Sequence, residues 1–223
     1  IPTIKKTIQI YQIPQKGQKV LLLHGWSGRA TQLFAFAKNL NESGMEIVSF
    51  DAPAHGFSEG KTTNIVEFVA CVHEVYKTYG PFDHIVGHSM GGLVALNSVR
   101  EGLEFNTLTV ISSGDKIKNV FLDYTRKIEF TDRIADRMID VVEKHFGESL
   151  ERYSGSHSLK NLTIPVLIAH DEQDYEIPVT YAKDLFKASK NGCLTITEGL
   201  GHRRILRDHD LIKKVADFIK SNS

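Results

Sequence analysis

Cysteine is scarce in this chain, neither sign of charge is in excess, and no apolar run is long. The two cysteines, Cys71 and Cys193, stand far apart and neither belongs to a C-x-x-C pair, which argues against a disulfide framework and against a thiol-based metal or redox motif. Both read as buried free thiols, and a reducing, cytoplasmic compartment is the expectation. Lysine plus arginine and aspartate plus glutamate number 27 each, so no global field draws the protein to nucleic acid or an anionic membrane. No apolar stretch approaches the roughly 20 residues needed to span a bilayer. The strongest early one, Val20 to Leu23, is strand-sized. A glycine-rich phosphate loop with its lysine is missing, as is H-E-x-x-H, so no cofactor and no essential metal are expected. The chain starts at Ile1 rather than Met, which leaves room for an upstream segment that has been removed. Partners must therefore be argued from a site, and a small molecule is the default.

What is present is a strand–helix alternation. At 223 residues and 41% hydrophobic content, the chain suits one domain with a substantial core and room for an insert. Thr3 to Ile13 alternates polar and apolar residues like a half-exposed antiparallel edge strand. Strands follow at Val20 to Leu23, Glu46 to Phe50, Phe82 to Val86 and Leu108 to Ile111, with helices at Thr31 to Leu40, Asn64 to Tyr79 and Gly92 to Val99 between them. The rhythm breaks after Gly114 and resumes with a strand at Ile164 to His170, a helix at Val179 to Ser189, a strand at Cys193 to Thr197 and a helix at Asp208 to Lys220. Repeated β–α units predict an α/β fold whose mostly parallel sheet is covered by helices on both faces. Residues 1–114 and 158–223 would form its core. Residues 115–157, with helical apolar spacing at Ile134, Met138, Val141, Val142 and His145, would form an inserted helical cap.

One motif sits where chemistry would need it. Gly87, His88, Ser89, Met90 and Gly91 read G-x-S-x-G at a strand-to-helix junction, the context in which the serine is forced into a sharp turn with its hydroxyl projecting from the sheet. The helix beginning at Met90 aims its free N–H groups and positive dipole end at the place where negative charge would develop.

Four further stretches extend the pattern. His24-Gly25-Trp26 follows the first buried strand. Asp51 to Ser58 reads D-A-P-A-H-G-F-S, His170 to Pro178 reads H-D-E-Q-D-Y-E-I-P, and Gly201-His202 follows the last strand. In this order they resemble the α/β-hydrolase superfamily: its H-G-x oxyanion loop, its D-x-P-G-H-G-x-S loop with Ala54 in place of a glycine, its acid loop and its base. The resemblance covers essentially the whole chain apart from the cap, and Ser…Asp…His is the order that fold carries.

The resemblance implies roles. Ser89 is the nucleophile, and a serine hydroxyl needs a base to take its proton. His202 stands where the family carries that base, and an imidazole with an ordinary pKa near 6.5 suits both halves of the transfer. The acid that orients His202 is Asp174, four residues before Pro178. Asp171, at a usual glycine position, competes with it as an alternative, and Glu172 stands behind both. The backbone N–H groups of Trp26 and Met90 would form the oxyanion hole, each donor being worth roughly 3–4 kcal/mol. For substrate contacts the candidates are Trp26 and an apolar ceiling in the cap that includes Phe121, Tyr124 and Phe130. Each could equally be ordinary packing. Arg203 could bind a substrate carboxylate or simply face solvent. The reading is a serine hydrolase cleaving a small ester or related acyl compound, with a thioesterase or acyltransferase on the same triad as an alternative. A ligand-binding protein that keeps the fold without turnover is the rival from another class. Nothing in the sequence bears on oligomeric state.

Overall fold

The computed structural model describes residues 1–147 and 149–222, with the side chains of His145 and Phe146 outside the described set. Seven strands form one sheet: β1 (Ile10–Ile13), β2 (Lys19–Leu23), β3 (Glu46–Phe50), β4 (His84–His88), β5 (Thr107–Ile111), β6 (Val166–Asp171) and β7 (Gly192–Thr197), in the order β1-β3-β2-β4-β5-β6-β7. Only the β1–β3 pair is antiparallel. Strand order reverses between β2 and β4, and such a switch point opens a crevice at the carboxyl ends of the strands.

Burial follows the strand period of two. Leu21 and Leu23 of β2, Val48 and Phe50 of β3, and Val166 and Ile168 of β6 join the core on one face, under α2 (Ile65–Tyr79) and α3 (Met90–Arg100). Val20, Leu22, Ile47, Leu167 and Ala169 join the core on the other, under α1 (Phe34–Glu42) and α9 (His209–Ser221). With both faces covered, the inner strands read as continuous apolar runs. Side-chain caps set two helix starts. Asn64 accepts from Glu67 N at the head of α2, and Asp208 from Leu211 N at the head of α9, each supplying one of the acceptors that a helix N-terminus lacks.

Two readings of the sequence are corrected by the structure, the extent of the first edge strand and the burial of Cys193. The first edge strand is confined to Ile10–Ile13, after a 3₁₀ turn at Pro2–Ile4. Residues 7–9 bond irregularly to the 51–59 loop instead, for example Asp51 N to Gln9 O at 3.0 Å. Cys71 is buried, but Cys193 is exposed because β7 is a sheet edge. Between β5 and β6 lie α4 (Ile117–Lys127), α5 (Asp132–Phe146), a 3₁₀ turn and α6 (Gly155–Leu159), followed after β6 by α7 (Thr180–Ala188). Short helix α8 (Gly201–Arg204) follows β7. Among the described residues no helix is long and apolar enough to cross a membrane.

Candidate active site

The turn between β4 and α3 is strained. Ser89 has φ 54° and ψ −122°, outside the relaxed regions for a residue with a Cβ and worth about 1–3 kcal/mol of strain. The turn is held because Ser89 N donates to Ile111 O of β5 at 2.9 Å and α3 is packed hard against β2. A Cβ at Gly91 would lie 2.6 Å from His24 O, so no larger residue fits. The loop after β2 crosses directly over the serine, and a Cβ at Gly25 would lie 2.7 Å from Ser89 Cβ. Ala54, at the family's glycine position, holds φ 63°, which explains why glycine suits that turn better.

Asp174 and His202 meet at this end of the sheet. His202 Nδ1 donates to Asp174 Oδ2 at 2.7 Å, which leaves Nε2 free to accept a proton. Asp174 Oδ1 accepts from Glu176 N and Ile177 N, both at 2.9 Å. Burial works to raise the Asp174 pKa, but the hydrogen bonds from His202 and Ile177 outweigh it and hold the carboxylate below its ordinary range. Ser89 Oγ makes no hydrogen bond among the described residues; such contacts commonly tighten only when substrate is bound.

Asp171 does different work. Its buried carboxylate accepts from Gly201 N at 2.8 Å, Thr197 Oγ1 at 2.7 Å, Gln173 N at 3.0 Å and Leu200 N at 3.1 Å. Burial raises its pKa and these bonds more than reverse the effect. It ties the loop that carries His202 to the end of β6. Sequence reasoning set Asp171 and Asp174 as competitors for one role, and the structure gives them different partners, His202 for Asp174 and Thr197 with three backbone N–H groups for Asp171.

His88 adds a third tie. Its Nε2–H donates to the main-chain carbonyl of His202 at 2.9 Å, and the two rings lie 4.7 Å apart. Burial, reinforced by the neighbouring His202, pushes the His88 imidazole down to about 3, so it stays neutral. His24 is likewise lowered, to about 4, chiefly by burial. Its Nε2 accepts from Ala52 N at 2.9 Å, so the proton sits on Nδ1, which donates to Gly25 O at 2.7 Å. Asp51 braces three segments: its carboxylate accepts from Ala30 N at 2.8 Å, Phe57 N at 2.9 Å and Tyr11 Oη at 3.0 Å. Sequence reasoning marked the motifs that hold His24, His88 and Asp51 but not the bonds these residues make.

Among the described residues, neither Trp26 N nor Met90 N donates a hydrogen bond within the chain. Trp26 lines the cavity and Met90 opens α3 directly after Ser89. A cavity of about 270 Å³ adjoins His202 and His88, with Trp26 and Arg203 in its wall. Ser89 does not line it, nor do Phe121, Tyr124 and Phe130. Phe121 packs against the core, whereas Tyr124 and Phe130 are exposed. Arg203 Nε donates to Glu176 Oε1 at 3.1 Å. Among the described residues, no three histidine, cysteine, aspartate or glutamate side chains converge to hold a metal ion.

Comparison with known proteins agrees with this layout. Human Protein ABHD12B is 22% identical over 224 residues, covering 90% of this chain, which spans only 60% of that protein's length. Alpha/beta hydrolase domain-containing protein 10 from mouse superposes with a TM-score of 0.77 at 16% identity, covering 98% of this chain and 96% of the other. The esterase EaEST from Exiguobacterium antarcticum gives 0.73 at 17% identity, covering 96% of both chains. At such identity the solved structures establish the fold alone. A sequence model described as the alpha/beta hydrolase family matches residues 20–214. Taken with the seven-stranded sheet, that match spans most of the chain and every motif discussed above: the protein belongs to the alpha/beta hydrolase family.

Proposed function

We propose that the protein is a serine hydrolase cleaving a small ester or related acyl substrate through an acyl-enzyme. The observation that carries the reading is the 2.7 Å hydrogen bond between Asp174 and His202. It joins loops after two different strands and fixes the imidazole tautomer that can act as a base. In the proposed first step His202 Nε2 takes the Ser89 proton as Oγ attacks the substrate carbonyl. The N–H groups of Met90 and Trp26 receive the oxyanion, and His202 then protonates the leaving group. Water repeats the sequence on the acyl-enzyme, with Asp174 stabilising the transient imidazolium at both stages. Residues 115–157 act as the cap that limits the substrate, reaching the acid loop through Lys127, whose Nζ donates to Glu176 O.

Labelling with a fluorophosphonate tests the nucleophile. Modification should map to Ser89 and vanish in Ser89→Ala with circular dichroism unchanged; persistence of the label would remove Ser89 from the role. Esters and thioesters of graded chain length then separate esterase from thioesterase. Ligand binding without turnover or labelling would favour a binding protein on this fold.

A further inference from the structure

Four of the ten residues lining the cavity beside His202 come from one short run, Arg203, Arg204, Leu206 and Arg207. Ile205 and Leu206 are anchored in the core under α1 and α9, while Arg203, Arg204 and Arg207 are exposed and all three line the cavity. Three arginines therefore line the cavity against one acidic residue, Glu176. They are differently engaged. Arg204 donates to Leu200 O at 3.0 Å and to Gly199 O at 2.6 Å, bracing the loop ahead of His202. Arg203 holds Glu176 at 3.1 Å in a solvent-exposed pair, an interaction that water screens heavily. The Arg207 guanidinium has no hydrogen bond or ion pair among the described residues. The side chains of Gln32 and Ser27, on the same cavity, are also without hydrogen bonds among the described residues.

A pocket for a plain acyl chain would be lined mostly by apolar side chains. Here only Trp26 and Leu206 of the ten lining residues are apolar. An unpaired guanidinium offers a planar fork that matches a carboxylate with two parallel hydrogen bonds. We infer that this cavity is a subsite for a carboxylate on the substrate, held by Arg207 and assisted by Arg203, so that the preferred substrates are esters carrying a free acid, such as half-esters of small dicarboxylic acids. The inference rests on the hydrolase reading for its meaning, but the binding itself can be measured without turnover.

Trp26 is the sole tryptophan and stands in the cavity wall, so its fluorescence reports occupancy. The full chain is titrated with butyrate, with the neutral butyramide and with propyl phosphate. Butyrate should bind at least about fivefold more tightly than butyramide, as expected when a charge-assisted hydrogen bond is gained. Arg207→Gln should bring that preference below about twofold, and added salt should erode it. In parallel, the kcat/KM ratio of monomethyl succinate to methyl butyrate should fall in Arg207→Gln. Equal binding of butyrate and butyramide would overturn the subsite. So would a preference that survives in the Arg203→Gln/Arg207→Gln double variant. Tighter binding of propyl phosphate than butyrate would overturn the carboxylate assignment. A butyrate preference with no ester turnover and no labelling of Ser89 would instead count against the hydrolase reading, which keeps the two failures apart.

Discussion

The end of β4 and the helices that follow β5 are held in contrasting ways. From Gly91 to Val99 every residue of α3 is buried, and the Ser89 turn is fixed by backbone contacts with no slack around Gly91. On α4 and α5, by contrast, Tyr124, Phe130 and Val141 are 57%, 51% and 62% exposed. That segment is fastened at a few points, among them Tyr181 Oη to Asp123 at 2.5 Å and Lys127 to Glu176. Regions with few buried contacts open at low cost, and regions that are packed on every side do not. The backbone geometry around Ser89 is thus over-determined, while the exposed surface of α4 and α5 is free to adjust.

The largest effect should come from the packed region. Asp174→Asn should lower kcat by about 10⁴ with little change in melting temperature, since an amide leaves the base in the wrong tautomer. Asp171→Asn should cost less, on the order of tenfold to a hundredfold, because it loosens the His202 loop without removing the partner of the imidazole. The reverse ranking in steady-state kinetics would make Asp171 the acid. Acid stability is the next test. His88, His24 and His170 are all lowered in the fold, with burial the leading cause for each, while an unfolded imidazole titrates near 6.5. Below that pH the unfolded chain binds protons that the folded chain refuses, so stability falls as pH drops from about 6.5 towards the folded values. Asp174 and Asp171 are shifted downward as well, because the hydrogen bonds to their ionised forms outweigh burial. Their stabilisation is present above the ordinary carboxylate range and is lost only as pH falls below it. Melting temperature should therefore decline between pH 7 and 5, and His88→Asn should flatten that decline; a flat wild-type profile would contradict the buried neutral imidazoles. Smallest of all, Phe130→Ala should shift preference between short and long acyl chains by no more than about tenfold, the low end for a contact in a pocket. If both Phe130→Ala and Tyr124→Ala leave chain-length preference unchanged, α4 and α5 have no part in recognition.

Much of the packed region was legible in the sequence because its constraints fall on side chains. The buried run Val20 to Leu23, the glycines around Ser89 and the spacing from Asp174 to Pro178 each leave a local mark. Thr3 to Ile13 misled because alternation records which side chains face inward, and not whether the backbone joins a ladder. Residues 7–9 face a loop and do not continue β1. The part played by Asp171 was hidden for a related reason: two of its partners are the N–H groups of Leu200 and Gly201, which any residue but proline would supply. Arg207 stands five positions beyond His202 in the chain. It reaches the cavity because α8 and the following 3₁₀ turn at Ile205–Arg207 curl the backbone round.

Beside its side-chain contacts, the segment bearing His202 is moored through its main chain, to Asp171 by the N–H groups of residues 200 and 201 and to His88 by the carbonyl of residue 202. None of these moorings uses the imidazole. The ring is accordingly an exchangeable part in a socket that stands without it. His202→Ala should leave a vacated slot with the Asp174 acceptor still in place, and imidazole added from solution should occupy it and restore a measurable share of turnover.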